Sequence, residues 1–157
     1  MDREITYREI YDGEEKIVCQ LIMEVFNEFI APGYSKEGIN EFSKAADPVS
    51  MRYRLANNRF ILVAFDEDVL VGVIEVRNYD HISLFFVRKE YMGKGIGGTL
   101  NELAIDKCLE SNPELTKIDV GSSPYAVPIY EKLGVVIVDS EKTLNGIRYT
   151  PMVLTLH

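Results

Sequence analysis

Four glycines fall within six residues in the segment Gly93-Lys94-Gly95-Ile96-Gly97-Gly98, the densest chemical signal in the sequence. Glycine lets a ligand approach the main chain, and where such a segment opens a helix, free N–H groups and the positive end of the helix dipole face outward. That combination binds anions, phosphate in particular, and Lys94 adds a charge. Gly93-x-Gly95-x-x-Gly98 formally matches a dinucleotide fingerprint, with Asp119 about 20 residues further on, where a ribose-binding acid is expected. The setting argues otherwise. Five residues separate Val87 from Gly93, whereas the fingerprint glycine follows its strand directly. The roughly 60 residues after Gly98 are also too few to complete a doubly wound domain. No Gly-Lys-Ser/Thr closes the segment, which excludes a Walker loop. Cys19 and Cys108, like His81 and His157, are too scattered for a disulfide framework or a zinc site, so no metal is expected.

An alternation of apolar and polar residues predicts a first strand over Ile5 to Ile10. From Glu14 to Ala31, apolar residues from Ile17 to Ile30 recur at three- and four-residue steps until Pro32-Gly33, which predicts an amphipathic helix. Ser35 caps a second helix running to about Ala46, and Asp47-Pro48 opens a short helical turn through Leu55. Phe60–Phe65 and Val69–Val76 read as a hairpin about Asp66-Glu67-Asp68, with a third strand over Ile82 to Val87. The glycine segment then leads into a helix ending before Pro113. Lys117–Val120 is a strand, and Ser122-Ser123-Pro124 starts a short helix that stops at Gly134. Val135–Val138 is expected to pair with Ile147–Leu156 around Asn145-Gly146. The order β-α-α-β-β-β-α-β-α-β-β describes one α/β domain over residues 1–157, a mixed sheet covered by helices.

Composition bounds the function. The chain has 157 residues, 46% of them hydrophobic, enough for one packed core and against intrinsic disorder. With 17 Lys+Arg against 25 Asp+Glu the formal charge is -8. Nucleic acids and anionic membranes are therefore unfavoured partners, since no basic cluster is evident. No apolar run approaches the ~20 residues of a membrane span, and the N-terminus lacks the pattern of a secretion signal, so a cytoplasmic location is expected.

Val87-Arg-Lys-Glu-Tyr-Met-Gly-Lys-Gly-Ile-Gly-Gly-Thr-Leu100 and Ser123-Pro-Tyr-Ala-Val-Pro-Ile-Tyr-Glu-Lys-Leu-Gly134 together resemble the two signature motifs of the GNAT superfamily of acetyl-CoA-dependent N-acetyltransferases. The element order resembles that family's across nearly the whole chain and implies its mostly antiparallel central sheet. The first motif, Gln/Arg-x-x-Gly-x-Gly/Ala, falls on Met92 to Gly97, with Met92 in place of the polar residue; in the second, Val135 replaces the usual Phe. The resemblance implies that main-chain amides of Met92, Gly93, Lys94, Gly95, Ile96, Gly97 and Gly98 hold the cosubstrate's pyrophosphate. It also implies that backbone groups of Phe85, Phe86 and Val87 bind its pantetheine arm, with Ser123 near the thiol end.

Acetyl transfer from a thioester to an amine needs an unprotonated amine, a stabilised oxyanion and a proton for the leaving thiolate. The resemblance places Tyr130 as the general acid. Glu75, a carboxylate in mid-strand, is the first candidate for the base, with Asp80 and His81 behind it and solvent exposure of Glu75 as the alternative. The acceptor is a small-molecule or peptide amine. The acidic composition suits a cationic one, and a homodimer is allowed. A dinucleotide-binding oxidoreductase and a non-catalytic acyl-CoA-binding module are the competing readings.

Overall fold

A computed structural model describes residues 4–156. The strands are β1 (Ile5–Glu9), β2 (Arg59–Asp66), β3 (Val69–Arg77), β4 (His81–Val87), β5 (Lys117–Ser122), β6 (Val136–Ile137), β7 (Lys142–Leu144) and β8 (Ile147–Thr155). The helices are α1 (Glu15–Phe29), α2 (Lys36–Ala45), α3 (Pro48–Leu55), α4 (Ile96–Ser111) and α5 (Val127–Lys132). The strands form one sheet in the order β1-β2-β3-β4-β5-β8-β6, with β7 paired to β8. Every pairing is antiparallel except β4 with β5.

Local chemistry sets the boundaries. Ser35 accepts a hydrogen bond from the Gly38 N–H, and Asp47 accepts one from Ser50 ahead of Pro48, so both helix starts have side-chain caps. In α1 the stripe Val18, Leu21, Ile22, Val25 and Phe26 is buried against one face of the sheet, about 2 kcal/mol for each large side chain. Ile17, expected in that stripe, lies at its edge and is exposed. The opposite face packs Leu100, Ala104 and Cys108 of α4 against Phe60, Leu62 and Val71. Burial pushes the thiols of Cys19 and Cys108 up to about 11, so neither is a nucleophile at neutral pH.

The terminal strands differ from the sequence expectation. Asn145 and Gly146 both have positive φ, as a two-residue hairpin turn requires, but the turn joins β7 to β8. The residues around Val135–Val138 supply only the two-residue β6, which pairs with the far end of β8 at Met152 and Val153. The short β7 escaped notice because three residues show no reliable period.

Two irregularities in β4 make the site. Glu75 lies opposite Leu84 and Val76 opposite Ile82, which leaves Ser83 as an extra, unopposed residue. This bulge reverses the alternation: Ile82 packs on the α4 side, whereas Leu84 and Phe86 pack on the α1 side. Immediately afterwards β5 leaves β4. The two pair only at His81 with Asp119 and Ile82 with Val120, after which β5 continues along β8.

Candidate active site

The parting strands enclose a cleft of about 820 Å³, a volume suited to a sizeable organic ligand. At one end stand Gly93, Gly95, Gly97 and Gly98, and at the other side chains of α1, α2 and β8. Gly95 is the residue before α4 and has φ +84, while Gly93 has φ +76, conformations that disfavour any residue with a Cβ. A Cβ at either would meet nothing within 4 Å, so the space above the loop is open to a ligand. α4 is a helix of 16 residues, and the N–H groups of its first turn have no intrahelical partner, the arrangement that suits an anion.

Phe85, Phe86 and Val87 line the cleft along the β4 edge that β5 has abandoned, and no strand pairs that edge beyond Ile82 among the described residues. Backbone groups there are available to an extended ligand, which would lie on them as an added strand lies on a sheet edge. Ser123 lines the same region, and its Oγ accepts a hydrogen bond from Ala126 N–H at 3.3 Å. Met92 and Ile96 also border the cleft, but Ile96 is buried in the α4-side core, and Met92 packs on the α1-side core with its Sδ 3.8 Å from the Tyr125 hydroxyl. Lys94 is not among the lining residues; its Nζ lies 5.4 Å from the Tyr91 ring centroid.

Tyr130 lines the cleft from α5 with a relative exposure of 6%, its ring edge-on to Phe85 at 5.8 Å. Its hydroxyl has no protein hydrogen-bond partner among the described residues. Burial alone pushes the phenol upward from its ordinary value, so it stays protonated through the neutral and mildly alkaline range.

Glu75 is placed differently from the sequence expectation. It neither faces solvent nor lines the cleft. Arg54 donates from Nε to Oε2 at 2.9 Å and from Nη2 to Oε1 at 3.0 Å, and Arg59 Nη1 donates to Oε2 at 3.2 Å and to Ser83 Oγ at 3.1 Å. Both carboxylate oxygens are thus taken by guanidinium groups, a poor arrangement for a proton acceptor. The sequence reading missed the two arginines because α3 and the start of β2 approach β3 only in the folded sheet. Asp80 lies in the turn before β4. His81, which like Glu75 does not line the cleft, hydrogen-bonds through Nδ1 to Asp119 at the closed end of the fork, two residues before the cleft-lining Ser83.

A family model for the acetyltransferase (GNAT) domain matches residues 30–156. The chain belongs to the GNAT acetyltransferase family. This GNAT enzyme is similar over 99% of both chains to a GCN5-related N-acetyltransferase from Rhodopseudomonas palustris, at 23% identity and a TM-score of 0.80. The PaiA N-acetyltransferase of Thermoplasma acidophilum, solved with coenzyme A, has the same TM-score at 18% identity, with 98% of this chain and 99% of that one covered. A spermidine N-acetyltransferase of Vibrio cholerae, solved with CoA and spermine, aligns at 21% identity over 96% and 95% of the chains, with a TM-score of 0.62. No curated protein matches the sequence. Membership makes the protein an acyltransferase. No helix among the described residues is long and apolar enough to cross a membrane.

The glycine loop gives a direct test of donor binding. Gly97 is helical, and a Cβ there would sit at ordinary distances of 3.5 and 3.7 Å from Phe85 and Val87, side chains that line the cleft. Gly97→Val therefore adds its branches to the ligand space without requiring positive φ, and acetyl-CoA affinity is expected to fall at least tenfold, about 1.4 kcal/mol. Calorimetry on the folded variant checks this. Unchanged affinity would mean that the donor runs elsewhere.

Proposed function

We propose that the enzyme transfers the acetyl group of acetyl-CoA to a primary amine of a small molecule or peptide, by direct attack in a ternary complex. The observation that carries this reading is the single continuous cleft through the β4–β5 fork. It runs from the glycine-lined start of α4, past the phenol of Tyr130, to the opposite face of the sheet. The first N–H groups of α4 hold the pyrophosphate, and the free β4 edge holds the pantetheine arm. Main-chain N–H groups by the bulge polarise the thioester carbonyl. Two substrates can then meet from opposite ends without a covalent enzyme intermediate.

Tyr130 gives its proton to the departing thiolate. Glu75 holds Arg54 and Arg59 and takes no proton. His81 accepts the amine's proton through water. With the Nδ1 hydrogen directed at Asp119, Nε2 of the neutral ring is the accepting nitrogen, the logic by which a carboxylate fixes a catalytic imidazole. Calorimetry with acetyl-CoA and NAD, followed by thiol release across a panel of amines, tests the whole reading. Acetyl-CoA binding with turnover is expected. NAD binding in its place would favour an oxidoreductase, and binding without turnover on any amine would leave an acyl-CoA-binding module.

A further inference from the structure

We infer that the acceptor is a monoamine on an aromatic or aliphatic body, not a polyamine. This rests on the reading above, in which the end of the cleft away from the glycine loop receives the amine.

That end is built from Phe26, Tyr34, Phe42, Phe86, Ile147 and Tyr149. Phe26 stacks on Phe42 with centroids 4.0 Å apart and meets Tyr34 edge-on at 5.6 Å, and Phe42 meets Phe86 edge-on at 6.0 Å. A continuous aromatic wall results. Among the described residues no Asp or Glu lines any part of the cleft, although the chain carries 25 of them. The charged side chains that do line it, Lys132 and Arg148, are cations.

Two acidic groups beside the cleft's walls are already paired. Glu141 accepts from Arg148 Nε at 2.9 Å and Nη2 at 3.1 Å, and Glu75 is held by Arg54 and Arg59. The rim is fixed as well. Tyr34 Oη donates to the Arg148 carbonyl at 2.8 Å, and Arg148 Nη1 donates to the Gly33 carbonyl at 3.1 Å. Gly38 of α2 lies so close to Gly146 of the β7–β8 turn that a methyl on Gly38 would overlap the Gly146 carbonyl. This clasp ties α2 to the hairpin and keeps Arg148 at the rim.

A polyamine brings several ammonium groups, and only the reacting one is neutralised. Each of the others, desolvated against aromatic rings with no carboxylate to pair it, costs several kcal/mol. The wall's attraction for a cation offsets only a part of that. An arylalkylamine has one nitrogen, which must be deprotonated to react, and a body that gains from apolar burial. The net charge of -8 is therefore misleading about the acceptor, because it resides outside the cleft.

The test compares 2-phenylethylamine with spermidine as acceptors for the full chain, read as CoA thiol release at saturating acetyl-CoA, with acetyl-CoA binding measured separately. We expect kcat/KM to favour 2-phenylethylamine by about a hundredfold, equivalent to about 2.7 kcal/mol. Ile147→Glu, at the half-buried start of β8, supplies the missing carboxylate and should narrow that ratio about tenfold towards spermidine. With acetyl-CoA binding intact, equal or better use of spermidine, or no use of 2-phenylethylamine, overturns the inference and leaves the donor site standing. Absence of acetyl-CoA binding removes the functional reading itself.

Discussion

Tyr130→Phe is expected to lower kcat by roughly ten- to a hundredfold, the usual range for losing a general acid when the leaving group is a fair one. Acetyl-CoA affinity should stay unchanged, because ring, volume and the edge contact with Phe85 are kept. The phenol is buried, lines the cleft and has no protein partner for its hydroxyl among the described residues. Burial raises the phenol, which by itself makes it a weaker acid. The same environment disfavours the thiolate charge beside it, so the proton still moves to sulfur. Since the phenol stays neutral beyond its ordinary value near 10, wild-type activity should show no alkaline fall up to about pH 10. His81→Gln acts on the amine side, and its loss should shrink with rising pH as unprotonated amine becomes abundant. Thiol-release kinetics across pH separate the two variants. Full activity of Tyr130→Phe with a lowered melting temperature would return the residue to the core, and a His81→Gln rate equal to wild type at pH 7 would assign the proton to solvent.

The parts of this architecture that were readable in the sequence are those with a local cause. The helical period of α1, the cap Ser35, the break at Asp47-Pro48 and the glycines ahead of α4 act within a few residues, and each stands where expected. Tyr130 and the glycine loop could be brought together only by resemblance, since no local rule says that α5 faces β4. The bulge at Ser83 was hidden because His81-Ile-Ser-Leu-Phe-Phe-Val87 reads as an ordinary strand, and its register is set by β3. The contact of Gly38 with Gly146 joins segments more than a hundred residues apart, and neither glycine stands out locally. Glu75 shows the same limit in its chemistry. A mid-strand carboxylate signals something unusual, but whether it is a base or an anchor depends on residues that reach it from α3 and β2.

That distinction produces the largest expected change in stability. Glu75→Gln should destabilise the fold by about 3 kcal/mol, because breaking a buried ion pair from one side leaves the partner charge uncompensated. The carboxylate is 1% exposed and the two guanidinium side chains are 17% and 19% exposed, so the arginines keep some contact with water and the low end of the usual range applies. The amide is nearly isosteric, so little of the effect comes from a cavity. Its NH₂ group is a donor set against the donors of Arg54 or Arg59, and its single oxygen cannot satisfy both. For a domain of this size, 3 kcal/mol corresponds to a fall of about 10 °C in melting temperature. Arg59 also holds the bulge residue Ser83, so a loosened ion pair should raise the acceptor KM modestly while kcat per folded molecule persists. A double-mutant cycle with Arg54→Met supplies the control, since removing both charges together should cost less than the sum of the single losses. Thermal melts and kinetics on the same samples decide the matter. A Glu75→Gln enzyme that melts like wild type but loses kcat a hundredfold would reinstate the carboxylate as the base.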